Sequence, residues 1–132
     1  YVKKLQIEAR VLGDMCLNHV IPAAVKYQNV LIENVRGMKE VFGEEFMNFC
    51  SAEVGTLKQI SQYINNISLD VETLVEARKK ANRIEDIALR AKVYSHEVKD
   101  MMEEVRKSAD NLEMLIDDEM WPLPKYRELL FF

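Results

Sequence analysis

At 132 residues, the chain has the length of one domain with one core. Apolar residues make up 48% and charged residues 30%, a globular balance that excludes wholesale disorder. With 18 basic against 22 acidic residues the net charge is −4, which argues against nucleic acid as a partner, since that surface needs a basic stripe.

Four glycines and three prolines are too few turn signals for a sandwich or barrel. Cys16 and Cys50 fall among apolar neighbours and read as reduced core thiols, which fits a reducing, cytoplasmic setting. No signal peptide is visible at the N-terminus, and no run of about 18 apolar residues could span a membrane. The longest uncharged stretch, Met15 to Val25, contains Asn18, His19 and Pro22. The sequence opens at Tyr1 inside a helical pattern, without an initiator methionine. That points to a piece of a longer chain, or to a small protein from which a tag was removed.

The first periodic segment predicts a helix over about 2–41. Leu5, Ala9, Leu12, Cys16, Ala23, Tyr27 and Val30 make one apolar stripe; Ile7, Val11, Val20, Ala24, Leu31, Val35 and Phe42 make a second. A helix apolar on two sides is expected to be covered on two sides. Pro22 either kinks this helix or starts a new one, and the quick return of the pattern favours a kink. Gly37 and Gly43 are expected to bracket the first turn.

The second segment carries Cys50, Leu57, Ile60, Ile64, Ile67, Val71 and Leu74 on one ladder. The phase runs unbroken through Asn65 to Asp70, which favours one helix over about 44–81 rather than a turn with Ser68 as N-cap. The basic Arg78, Lys79, Lys80 and Arg83 near its end suit the helix dipole. Asn82 reads as a residue just past that helix and Asp86 as the N-cap of the next.

The third segment, about 86–119, is the most regular. Ile87, Ala91, Tyr94, Val98, Met101, Val105, Ser108, Leu112 and Leu115 alternate four and three apart, with Ala88, Met102, Ala109 and Ile116 beside them. That repeat predicts a helix packed at a shallow angle on its neighbours, with Lys92, Lys99, Glu103, Arg106 and Asp110 toward water. Three helices of about 35 residues are each about 50 Å long. Short turns then require an all-α, antiparallel up-down-up bundle over residues 1–120. Asp117, Asp118 and Glu119 would sit at the third helix's C-terminus, where negative charge is mildly unfavourable. Residues 121–132 read as an extended tail, because the residue before Pro122 and before Pro124 is pushed out of helical geometry. Trp121, Leu129, Leu130, Phe131 and Phe132 need a surface, either the bundle or a partner.

No constellation in the sequence supports catalysis. A di-iron bundle site needs two inward Glu-x-x-His pairs; the residues three before His19 and His96 are Cys16 and Val93. Cys16 and His19 have the spacing of two ligands on one helix, but zinc needs three or four. The same pair is a weak candidate for nucleophile and base, since adjacent turns of a rigid helix aim their side chains in parallel. His96 reads as a solvated histidine beside acidic neighbours. Arg78 to Lys80 is more simply a helix terminus than a phosphate site.

Three stretches carry a family resemblance. Residues 12–24 (LGDMCLNHVIPAA) with Tyr27-Gln28-Asn29, Glu76 to Asn82, and residues 117–131 (DDEMWPLPKYRELLF) resemble, in order, the C-terminal region of type III glutamine synthetases, the large bacterial form. The resemblance implies that this chain is a helical C-terminal domain with a structural and subunit-packing role. The parent would ligate ammonia to glutamate with ATP and divalent metal, in ring-shaped oligomers. Its catalytic residues would lie upstream, so none is assigned here and no cofactor is expected in this chain. The expected partners are the catalytic domain of the same chain, meeting one stripe of the first helix, and other subunits. A free-standing helical interaction module is the alternative.

Overall fold

The computed structural model describes residues 1–121, and over them the fold is helical, with no strand among the described residues. The first helical rod is α1 (Val2–Met15), a wide π turn (Cys16–Val20) and α2 (Ile21–Phe42). A 3-10 turn, Gly43–Glu45, leads into α3 (Met47–Asn82), the second rod. The third rod is α4 (Ile87–Val93), a second π turn (Tyr94–Val98) and α5 (Lys99–Leu115).

The chain stays helical through Pro22. Its ring cannot donate a hydrogen bond and would crowd the carbonyl of residue 18 in a regular turn. The wide turn just before it answers this: the Ile21 N–H donates to the Cys16 carbonyl, five residues back. The same turn resolves the two stripes. Upstream, Leu5, Ala9, Leu12 and Cys16 are buried while Ile7 and Val11 are 54% and 55% exposed. Downstream, Val20 and Ala24, members of the other stripe, are buried, with Ala23 of the first stripe buried and Tyr27 packed against the core beside them. A π turn takes one extra residue, so the inward face shifts round the helix to take in members of the second stripe. Within this chain the first rod is therefore covered on one continuous side, not on two.

Gly37 lies inside α2 and does not bracket the turn. The reversal rests on Gly43, whose φ of 62° and ψ of −135° suit only glycine. Around it Phe42 stacks on Phe49 with ring centroids 4.3 Å apart, and the Lys39 ammonium lies 5.7 Å over the Phe46 ring. The second rod is helical across residues 65–70. Its one irregular backbone position is Cys50 (φ −136°), where the thiol donates to the Phe46 carbonyl at 3.2 Å.

Asn82 is the last residue of α3, and its side-chain oxygen accepts from the Tyr94 hydroxyl. That satisfies the polar end of a fully buried ring. Asp86 caps α4, its carboxylate accepting from the Ala88 and Leu89 N–H groups at 2.9 and 3.2 Å. Arg90 Nε donates to the Ile84 carbonyl at 2.8 Å and fastens the connecting turn. Ile87 is 79% exposed and Ala88 is exposed, so the inward seam of the third rod begins only at Tyr94.

The third helix ends at Leu115, short of residue 119, with Ile116 extended. Asp117 starts a new turn. Its carbonyl accepts from the Met120 and Trp121 N–H groups, and its carboxylate accepts from the Glu119 N–H at 2.9 Å. Its charge therefore meets N–H donors rather than the helix's terminal carbonyls, which removes the unfavourable dipole expected from the sequence.

One core joins all three rods. Val20, Ile60, Ile67, Leu74, Tyr94, Val98, Val105 and Leu112 are each at most 1% exposed. Each such aliphatic or aromatic side chain contributes roughly 1.5–3 kcal/mol by leaving water.

Candidate packing surfaces

The residues that suggested chemistry are pulled apart by the fold. Cys16 is 1% exposed and faces the core, and burial pushes its thiol up to about 11. It is a protonated thiol at neutral pH, the opposite of an activated nucleophile. His19 is exposed. Cys50 is fully buried, and burial followed by the charge of Glu53 raises its pKa. His96 lies exposed on the third rod. Among the described residues, no three His, Cys, Asp or Glu side chains gather as a metal site would require.

Two carboxylates are held up by their surroundings. Burial, and then the neighbouring Glu104, raises the pKa of Asp70. Burial and Glu113 raise that of Asp110, with Arg106 opposing. The first is a mild friction between the second and third rods and the second lies within α5; neither has the convergent partners that acid–base work requires.

What the fold presents instead is apolar surface. Exposed on the first rod are Ile7 and Val11, then Leu17 (47% exposed), Val25 and Ile32, with Val41 (74% exposed), nine residues on from Ile32, about half a turn round the helix from it. Single exposed aliphatics are ordinary, but so many along one rod mark it as a contact surface. The α2–α3 hairpin end adds Phe42, Met47 and Phe49. Several clefts flank the first rod. One, of about 490 Å³, lies between it and the second rod, walled by Val11, Leu17, Val71, Leu74 and Val75. Another, of about 400 Å³, lies beside Asn18, His19 and Pro22, closed by Glu119 and Met120. No helix among the described residues is long and apolar enough to cross a membrane.

Trp121 is 8% exposed and belongs to the core cluster, beside Leu12, Cys16 and Val20 on the rim of a smaller cavity of about 270 Å³. The other residues expected to need cover, Leu129, Leu130, Phe131 and Phe132, lie outside the described residues. So does the proline-containing stretch that follows Trp121.

The Asp86 cap was legible in the sequence, and so were Ile7 and Val11 as part of a second apolar side of the first rod; Leu17, Val25, Ile32 and Val41 belonged to neither expected stripe. The shift at Cys16–Val20 was not legible, because a wide turn leaves no composition signal. Its trace is spacing: Leu12, Cys16, Val20 and Ala24 run four apart three times, where a regular seam alternates three and four.

Comparison with known proteins agrees with the resemblance. The glutamine synthetase C-terminal domain family matches residues 1–39. A glutamine synthetase of Bacteroides fragilis (strain YCH46) is 50% identical over 99% of this chain. A type-3 glutamine synthetase of Dictyostelium discoideum and a glutamine synthetase of Butyrivibrio fibrisolvens are each 28% identical over 99% of it. The chain spans 18% of the length of each of these relatives. By these matches the chain is similar along nearly its whole length to part of the glutamine synthetases, and over residues 1–39 to their C-terminal domain.

Proposed function

We propose that this chain is the C-terminal helical domain of a type III glutamine synthetase, with a structural and subunit-packing role and no catalytic group of its own. The observation that carries the reading is the 50% identity along 99% of the chain to a protein of which it spans only 18%. The type III assignment draws on the type-3 relative and on the terminal motif at residues 117–131.

In this reading the parent joins ammonia to glutamate with ATP and divalent metal, in the cytoplasm, through residues outside this chain. The rods run up, down and up. Gly13 lies against Val71 and Gln28 bonds Ser61, so the first two rods approach head to tail. Lys80 reaches Glu97, and Tyr94 bonds Asn82, as an antiparallel second pair would. The outward row Ile7, Val11, Leu17 and Val25 faces the catalytic domain or a neighbouring subunit, which would cover it as a core does.

The test is made on the parent enzyme. Ile7→Asp combined with Val11→Asp should leave the domain folded, because both sites are exposed, and should lower the oligomer mass by light scattering together with γ-glutamyl transfer. Unchanged assembly and activity would overturn the packing role. Transfer activity from the 132-residue chain alone would overturn the claim that the catalytic groups lie elsewhere.

A further inference from the structure

We propose that two copies of this chain pair through the arm that α2 and α3 form around Gly43, the turn of each copy seating Met47 in the cleft between α2 and α3 of the other. This surface is separate from the row Ile7 to Val25, and the inference holds whether or not the glutamine synthetase reading does.

The arm is half of a bundle. Among residues 25–59 Cys50 alone is buried, whereas Val20, Ala24, Ile60 and Ile67 next to the arm belong to the core. α2 packs on α3 there, and two helices by themselves bury one seam and leave their flanks in water. α3 also changes composition along the arm. From Met47 to Asn66 its charged residues are Glu53 and Lys58, while α5 opens with Lys99, Asp100, Glu103, Glu104, Arg106 and Lys107. Depletion of charge beside exposed Met and aromatic side chains is the composition of an interface centre.

The cleft and the turn complement each other. The cleft, of about 820 Å³, has Ile32, Val54 and Leu57 as apolar walls, with Lys58 beside them and the 2.7 Å Gln28–Ser61 bond crossing it. The turn carries Glu44 and Glu45, both exposed, just before Met47, which is 41% exposed. An antiparallel pair that sets Met47 on Leu57 of the other copy brings Glu45 level with residue 59, against Lys58 of that copy. The second contact repeats the first, so the pair closes on a two-fold axis. A turn-to-turn pair would gather the carboxylates of both copies, and like charges oppose it. The same acidic turn excludes an anionic lipid surface as occupant. Residues 45 to 59 span about 21 Å at 1.5 Å each and two helices are about 20 Å across, so each copy gives about 400 Å² of projected area, near the roughly 1,000 Å² of total accessible surface at which specific interfaces begin.

The experiment measures the mass of the 132-residue chain by light scattering across a concentration series. The native chain should reach the mass of two copies and stop there. Met47→Asp, at an exposed position, should raise the dissociation constant by about tenfold or more. Glu44→Lys with Glu45→Lys should do the same, and so should Lys58→Glu alone, because like charges then meet in both contacts. Circular dichroism should show each variant as helical as the native chain. Mixed one to one, the two charge variants should recover the dimer, since every turn again meets the opposite charge. A monomer at all concentrations, or a mass that climbs past two copies, would overturn the proposal. So would charge variants that still pair alone, or a mixture that stays monomeric. Loss of the dimer in Ile7→Asp with Val11→Asp, and its survival in Met47→Asp, would overturn it in favour of the outer row.

Discussion

The first and third rods are built alike and finished differently. Each is a long helix interrupted by one wide turn, and each turns a seam of fully buried residues toward α3. Beyond that seam the third rod offers water Lys92, Lys99, Glu103, Arg106 and Asp110. The first rod offers Ile7, Val11, Leu17, Val25 and Ile32. Apolar patterning therefore records which residues are meant to be covered. It does not record that the same chain does the covering.

The comparison can be broken at its strongest point first. Tyr94→Ala should cost about 3–5 kcal/mol, because a fully buried ring and its bond to Asn82 are lost together. Leu112→Ala, on the same seam, should cost about 2–5 kcal/mol. Urea midpoints at constant slope measure both. Ile7→Ala on the first rod should stay within about 0.5 kcal/mol. If Ile7→Ala rivals Leu112→Ala, the outer face of the first rod is already covered in the free chain and the contrast disappears.

The connections sharpen the contrast at a smaller scale. The first turn depends on a backbone that only glycine adopts, so Gly43→Ala should cost about 1–3 kcal/mol. Gly37, helical and with open space about its Cα, should gain about 0.4–1 kcal/mol on Gly37→Ala. The second turn depends on a side-chain cap, so Asp86→Ala should lose about 1 kcal/mol. Thermal melts of the three variants, run side by side, separate these mechanisms by sign and size.

The smallest expected effect is a pH dependence. The folded pKa of Asp70 is raised above its ordinary 3.8 by burial and by Glu104. A raised acid binds its proton more tightly when folded, so its favourable contribution is complete below 3.8 and is lost as pH rises through the folded value. Asp70→Asn should accordingly raise the melting temperature slightly at pH 7 and give no gain near pH 3. An equal gain at both pH values would mean that packing, not charge, is responsible.

Much of this was legible in the sequence, for reasons that differ by element. The second rod's ladder from Cys50 to Leu74 never breaks phase, so period alone identifies its inner face. Asp86 announces itself as a cap, because a short acceptor just before an apolar run has few other uses. The stop at Leu115 was hidden, because residues 117–119 suit a helix as well as the turn that Asp117 organises. Ile87 fits the period yet faces water, since the third rod starts beyond the end of α3 and meets nothing there. The placement of Cys16 away from His19 follows from burial, which spacing cannot report.

The wide turn at Cys16–Val20 has one more consequence, for how this rod tolerates gain and loss of length. Such a turn is the shape a regular helix takes when one residue is added while both flanks keep their places. Leu17 and Asn18 point outward there. Removing either one alone should let Leu5 to Leu12 and Ala24 to Leu31 keep their present neighbours, with the bulge relaxing to an ordinary coil of helix. Removing one residue anywhere else in the rod should rotate one half against the other by roughly 100°, the angle between successive residues of a 3.6-residue turn. Among relatives, a difference of one residue in the length of this rod should therefore fall at Cys16–Val20.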